Sequence, residues 1–155
     1  MRLRHERERA RRADATNLFV VVSALANGNA RMRNVRDDEQ AGVASLLEQI
    51  NQHGARRHVV TVEDPIEFMF ASRNAVFDQR EVGTDTKTYA RGLKAALRQL
   101  PHIIFVGEMR DLTSVAIALS AAETGNLVIS TLATQSAAQT VTRIVDSFPP
   151  HQQSQ

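Results

Sequence analysis

The chain has 155 residues, 43% hydrophobic and 23% charged, which suits one soluble globular domain with a core of its own. It contains no cysteine, so disulfides and thiolate metal sites are excluded and a cytosolic setting fits; no apolar run reaches membrane-spanning length and no signal peptide is visible. The net charge of +2 is uneven: Met1–Arg12 carries six Arg and two Glu, or +4, which leaves −2 for the remainder. Residues 1–17 therefore read as a basic extension, with Met1–Ala15 a charged helix or a disordered arm.

In chain order, Leu18–Val22 is a continuous β-rich run and a candidate buried strand. Ser23–Gln40 has no clean period and reads as loop, with a turn at Ala24–Asn29 and heavy charge over Arg31–Asp38. Val43, Leu46, Leu47 and Ile50 form a helical stripe over 43–52, which Gly54 is placed to cap. His58–Val62 is a β-branched strand that exits into Glu63-Asp64-Pro65, and Ala75–Gln79 is a short edge strand. Thr86–Leu100 reads as a helix with Tyr89, Leu93, Ala96, Leu97 and Leu100 on one face, Thr86 or Asp85 as its cap and Pro101 as its stop.

Ile103–Val106 is four apolar residues, a buried strand ended by Gly107 that delivers Glu108 at its carboxyl end. Asp111 caps the next helix, which Gly125 ends; Leu127–Leu132 is a further strand. Ser136–Phe148 is a last helix with Val141, Ile144, Val145 and Phe148 inward, broken by Pro149-Pro150, and 151–155 is a tail. Strands alternating with helices predict βαβ units, a mainly parallel sheet and helices on both faces.

Function follows from where the strands end. Ligands of open α/β sheets bind outside the carboxyl ends of the strands. Three strands eject polar residues there: Glu63 and Asp64, then Glu108, then Thr134, Gln135 and Ser136. Convergence of three clusters on one edge is a stronger argument for a site than any cluster alone. The five histidines, His5, His53, His58, His102 and His151, show no metal-ligand spacing, and no basic–aromatic interleaving points to nucleic acid.

Five stretches are more specific than generic α/β sequence: Thr61–Phe68 (TVEDPIEF), Gln79–Gly83 (QREVG), Gly107–Asp111 (GEMRD), Ala121–Gly125 (AAETG) and Arg143–Pro149 (RIVDSFP). In residues, order and spacing they resemble the secretion ATPases of type II secretion and type IV pili, most nearly the twitching-motility retraction type. The likeness runs from about Gly42 to Pro149. It implies an α/β fold with a RecA-like P-loop NTPase core over 18–150, ATP and Mg2+ as cofactors, and a hexameric ring, homomeric or mixed with family ATPases. It further implies a cytoplasmic location beside an inner-membrane platform protein of a pilus or secretion machine. By the same resemblance Glu63 belongs to an acidic box that works with magnesium and the attacking water, Asp64 beside it binds the nucleotide cofactor, and Glu108 is the catalytic Walker B glutamate, which with Glu63 serves the magnesium ion. Arg80 and Arg98 fall on arginines that face nucleotide phosphates across a subunit boundary, and Thr134, at the family's His box, is a further cofactor-binding residue.

The family pattern breaks at the phosphate loop. G-x-x-x-x-G-K-[ST] should follow the first strand, where its backbone N–H groups and lysine cradle phosphate. This sequence has Ala24-Leu25-Ala26-Asn27-Gly28-Asn29-Ala30-Arg31 there, and its only lysines are Lys87 and Lys94. Arg31 or Arg33 brings charge but not a lysine's compact point charge. Ala133 stands where the His box has histidine, and Leu100-Pro101-His102 replaces the usual Asp-Pro-Asp. The resemblance also implies family domains before Leu18 and after Pro150, so a partial chain is expected, with residues 24–41 divergent. Two readings stay open: a motor ATPase with impaired hydrolysis, or a non-catalytic paralogue or gene remnant that serves as an interaction subunit of the ring.

Overall fold

The computed structural model describes residues 18–23, 39–53, 55–132, 134 and 137–153. The expectations for the basic arm, the divergent loop, Gly54, Ala133, Gln135 and Ser136 fall outside the described residues. Five strands, β1 (Leu18–Ser23), β2 (His58–Glu63), β3 (Val76–Glu81), β4 (Ile103–Val106) and β5 (Leu127–Leu132), form one sheet in the order β1-β5-β4-β2-β3. The helices are α1 (Glu39–His53), α2 (Tyr89–Leu97), α3 (Leu112–Glu123) and α4 (Ala137–Asp146), followed by a 3-10 turn at Pro150–Gln152.

Strands β2 to β5 are parallel, in register Val62↔Val106 and Val106↔Ser130, with Val62↔Arg80 on the outer side. β1 is antiparallel to β5, with Ser23 opposite Leu127. Its carboxyl end therefore leaves the sheet at the edge where the parallel strands begin, away from Glu63 and Glu108. An antiparallel edge strand on a parallel sheet is a common arrangement.

Alternation along the strands splits the core in two. Val62, Ile104, Val106 and Val128 pack against Tyr89 and Leu93 of α2 and Val115, Ala118 and Ala122 of α3. Val59, Ile103, Phe105 and Ile129 pack against Val43 and Leu47 of α1, joined by Phe70 and Phe77, whose rings stack 4.7 Å apart. Helices thus cover both faces.

Some local expectations need correction. The cap of α2 is Thr88, whose hydroxyl accepts from Arg91 N at 3.2 Å, not Thr86 or Asp85. Asp85 instead folds back to accept from Glu81 N at 2.9 Å, which closes the turn before the helix. Leu46, Val141 and Val145 lie outward, as does Leu100, which falls beyond the end of α2; of the apolar residues expected inward on the last helix, Ile144 and, past the helix end, Phe148 pack on the core. On α1 the inward position after Leu47 belongs to Asn51, fully buried, whose side chain donates to Ala71 O at 2.8 Å and accepts from Arg73 N at 3.0 Å. A buried amide is tolerated because both of its ends are bonded. As expected, Asp111 caps α3, accepting from Ser114 N at 2.9 Å, and Gly125 ends it with a φ of +100° that suits glycine.

Candidate functional site

The carboxyl ends of β2 and β4 are locked together. Gly107 N donates to Val62 O at 2.8 Å, and the Thr131 hydroxyl of β5 donates to Gly107 O. Met109 N donates to Thr131 O at 3.2 Å, so Glu108 stands between two anchored neighbours. Space at 107 is tight: a Cβ there would lie 3.3 Å from Glu63 Cα and 3.4 Å from the Tyr89 hydroxyl.

Glu63 is 5% exposed, and its Oε1 accepts from Thr61 Oγ1 at 2.6 Å and from Gln79 Nε2 at 3.4 Å. Burial raises its carboxyl above the ordinary range, against the lowering effect of those two hydrogen bonds. Gln79 is fixed in turn by Phe68 O and Phe70 N, at 2.7 and 2.8 Å. Glu108 Oε2 accepts from Arg110 Nε at 2.7 Å, and the same guanidinium lies 3.9 Å from Asp64 Oδ2. Arg110 thus bridges the acids leaving β2 and β4, and Glu108 raises the pKa of its guanidinium further. Tyr89 turns its hydroxyl into this cluster: burial and then the charge of Asp64 push the phenol up to about 12, with Arg110 opposing and Glu108 and Glu63 adding.

The structure therefore brings Glu63, Asp64 and Glu108 together, with Tyr89 and Arg110 among them. It places the other expected residues elsewhere. Arg80 reaches Gln99 Oε1 at 2.6 Å and Gly92 O at 3.5 Å, toward the far end of α2. Arg98 is the residue that ends α2, with its side chain on an outer groove. The buried Thr134 hydroxyl pairs with Thr140 of α4 at 2.6 Å. Tyr89 and Arg110 carried no role in the sequence reading. A lone tyrosine in an apolar helical stripe was the available signal, since its hydroxyl needs a polar destination.

No magnesium cage exists here: among the described residues no group of three or more His, Asp or Glu is set to hold a metal ion. Two or three carboxylates on one edge suit an ion that arrives on a phosphate, the usual way magnesium is held. The phosphate-holding part does not fit, because no G-x-x-x-x-G-K-[ST] occurs in the sequence.

Residues 42–147 match the family model of the type II/IV secretion system proteins. The chain belongs to that family. It is 50% identical over 107 residues to the uncharacterized protein YggR of Escherichia coli K12, covering 69% of this chain and 32% of that protein. It is 47% identical over 112 residues to the type IV pilus retraction ATPase PilT of Pseudomonas aeruginosa, covering 72% and 32%. A crystal structure of the pilus retraction motor PilT with bound ADP superposes at a TM-score of 0.72 with 52% identity, over 74% of this chain and 33% of that one. The chain spans about a third of the length of these relatives. The family resemblance read from the motifs holds, and the fold is that of the α/β P-loop ATPases. Among the described residues no helix is long and apolar enough to cross a membrane.

Proposed function

We propose that this chain carries the catalytic acid edge of a pilus or secretion motor ATPase without a working phosphate cradle, so that its own hydrolysis of ATP is weak or absent. The observation that carries the reading is the adjacency of Glu63 and Glu108, joined through the Gly107 N to Val62 O bond at 2.8 Å, within the family-matched segment. Glu108 takes the Walker B role, and Glu63 and Asp64 serve a phosphate-borne magnesium ion and water. Arg80 and Arg98, remote from the chain's own acids, serve the nucleotide of a neighbouring subunit in a ring, where a guanidinium stabilises charge on transferring phosphoryl oxygens. Thr134 supports the β5 exit. Residues 18–150 act as a partial RecA-like domain, 1–17 as a basic extension and 151–155 as a tail, at the cytoplasmic face of an inner-membrane platform. Loss of the loop and its lysine removes the electrostatic contribution that is usually largest in such transfer.

Magnesium-dependent ATP hydrolysis by the purified chain is expected to be undetectable, and turnover like that of an ordinary ATPase would overturn the reading. Calorimetry is expected to show weak ATP binding, lost in Glu108→Gln or Arg80→Ala. The preserved match over 42–147 beside a divergent 24–41 supports a second reading, an interaction subunit within a mixed ring. Under it the chain co-purifies with an active family ATPase and binds no ATP; failure to co-purify counts against it.

A further inference from the structure

The acid edge leaves one strongly charged feature unused. An open groove of about 620 Å³ runs between the Gly83–Thr86 turn and the outer face of α2, and it is lined by Lys87, Arg91, Lys94 and Arg98. Arg91, Lys94 and Arg98 recur at intervals of three and four residues along α2 and its C-cap, so they form one stripe, and Lys87 lies just before the Thr88 cap at its upstream end. Both lysines of the protein line the groove. All four side chains are exposed, while Tyr89, Gly92, Leu93 and Ala96 turn to the core.

None of the four is in a described ion pair. The one acid on the rim, Asp85, is occupied by Glu81 N at 2.9 Å. Like charges at these spacings repel. Lys87 and Arg91 also flank the positive end of the helix, whose first turn holds no acid. Among the described lining residues four cations face one acid, so the groove keeps a net positive potential, and its concave shape suits a small anion better than a flat surface. Cations spread along the groove offer successive partners to a linear chain of phosphates, which a lone phosphate cannot span.

We propose that this groove is a binding site for a linear polyphosphate anion, held by Lys87, Arg91 and Lys94. The site goes beyond the function proposed above: of the groove's four cations that function uses only Arg98, and the anion is assigned to the other three. Arg98 is left unaltered in the test because that function uses it.

The experiment titrates the full chain with inorganic tripolyphosphate by calorimetry. Saturable binding of one anion per chain is expected, weakening as salt is raised. Arg91→Gln combined with Lys94→Gln should lower the affinity at least tenfold; glutamine keeps helix propensity, and unchanged thermal unfolding without ligand verifies the fold. Arg91→Lys combined with Lys94→Arg should restore binding to within a few-fold. Tripolyphosphate should raise the unfolding temperature of the parent and not of the Gln variant. Glu108→Gln should leave tripolyphosphate binding unchanged, so this site stands or falls separately from the nucleotide reading. The proposal is overturned by unsaturable heats, by equal binding in the Gln variant, by an equal loss in Glu108→Gln, or by charge-dependent binding to phosphatidylglycerol vesicles without binding of tripolyphosphate.

Discussion

Helix α2 separates two charged regions that handle charge in opposite ways. On its inner side, at the ends of β2 and β4, every acid has an internal partner: Glu63 has Thr61 and Gln79, while Glu108 and Asp64 share Arg110. On its outer side, Lys87, Arg91, Lys94 and Arg98 line a groove whose one described acid is Asp85, and none of the four is in a described ion pair. The acids are held in place by those partners, whereas the groove cations outnumber the one acid beside them and face solvent.

The largest effect comes from the core beneath both regions. Leu93 is fully buried under α2 between Val62 and α3. Leu93→Ala is expected to cost about 2–5 kcal/mol in urea unfolding, as buried leucine truncations do, and to weaken both regions together. A loss confined to one of them would show that α2 does not couple them. Asp111→Ala comes next, because the carboxylate accepts from Ser114 N at 2.9 Å and from Ser114 Oγ at 2.6 Å. Its expected cost is about 1–2 kcal/mol, the upper range for a helix cap, and it should leave tripolyphosphate binding untouched, since α3 lines no part of the groove.

Much of this arrangement was legible in the sequence. The strands at His58–Glu63 and Ile103–Val106 are short β-branched or apolar runs ended by an acid or a glycine, and their exits lie where a parallel sheet must put them. The direction of β1 was not legible, because Leu18–Ser23 has the same β-rich composition whichever way it pairs. Nor was the bridging by Arg110, which depends on how far two strand exits lie from each other rather than on any local pattern. Val141 and Val145 misled because an apolar stripe records which residues share a helix face, not whether that face is covered. The groove cations were visible as a helical stripe only once the inner face of α2 was assigned.

Glu63 gives a pH signature that tests the inner region. Its pKa is raised above the ordinary 4.5 by burial, so the folded state binds the proton more tightly than the unfolded chain. The stability this carries is fully present below the ordinary value and is lost as pH rises through the raised one. Urea midpoints of the parent should therefore fall across that window. Glu63→Gln, which keeps an acceptor for Thr61, should flatten the profile and be the more stable form at neutral pH. An unchanged slope would mean that Glu63 is not held in the environment described.

The smallest change in stability should come from Arg110→Gln, since the guanidinium is 59% exposed and exposed ion pairs contribute up to about 1 kcal/mol. Its optical consequence is larger. Tyr89 is the only tyrosine and there is no tryptophan, so the phenolate absorbance of the native protein reports that one hydroxyl. In the parent it should ionise at about 12, against an ordinary value of 10.0. Arg110 is the one cation among the charges acting on the phenol, and it favours the phenolate. Arg110→Gln should move the midpoint above that of the parent, and Asp64→Asn, which removes the leading negative charge, should move it below. Shifts in opposite directions from two partners of one bridge cannot come from a general loosening of the fold, which would bring both variants back toward the ordinary phenol value. They would locate Tyr89 inside the acid cluster and leave the outer cations, whose substitution should scarcely move the midpoint, as a separate electrostatic region.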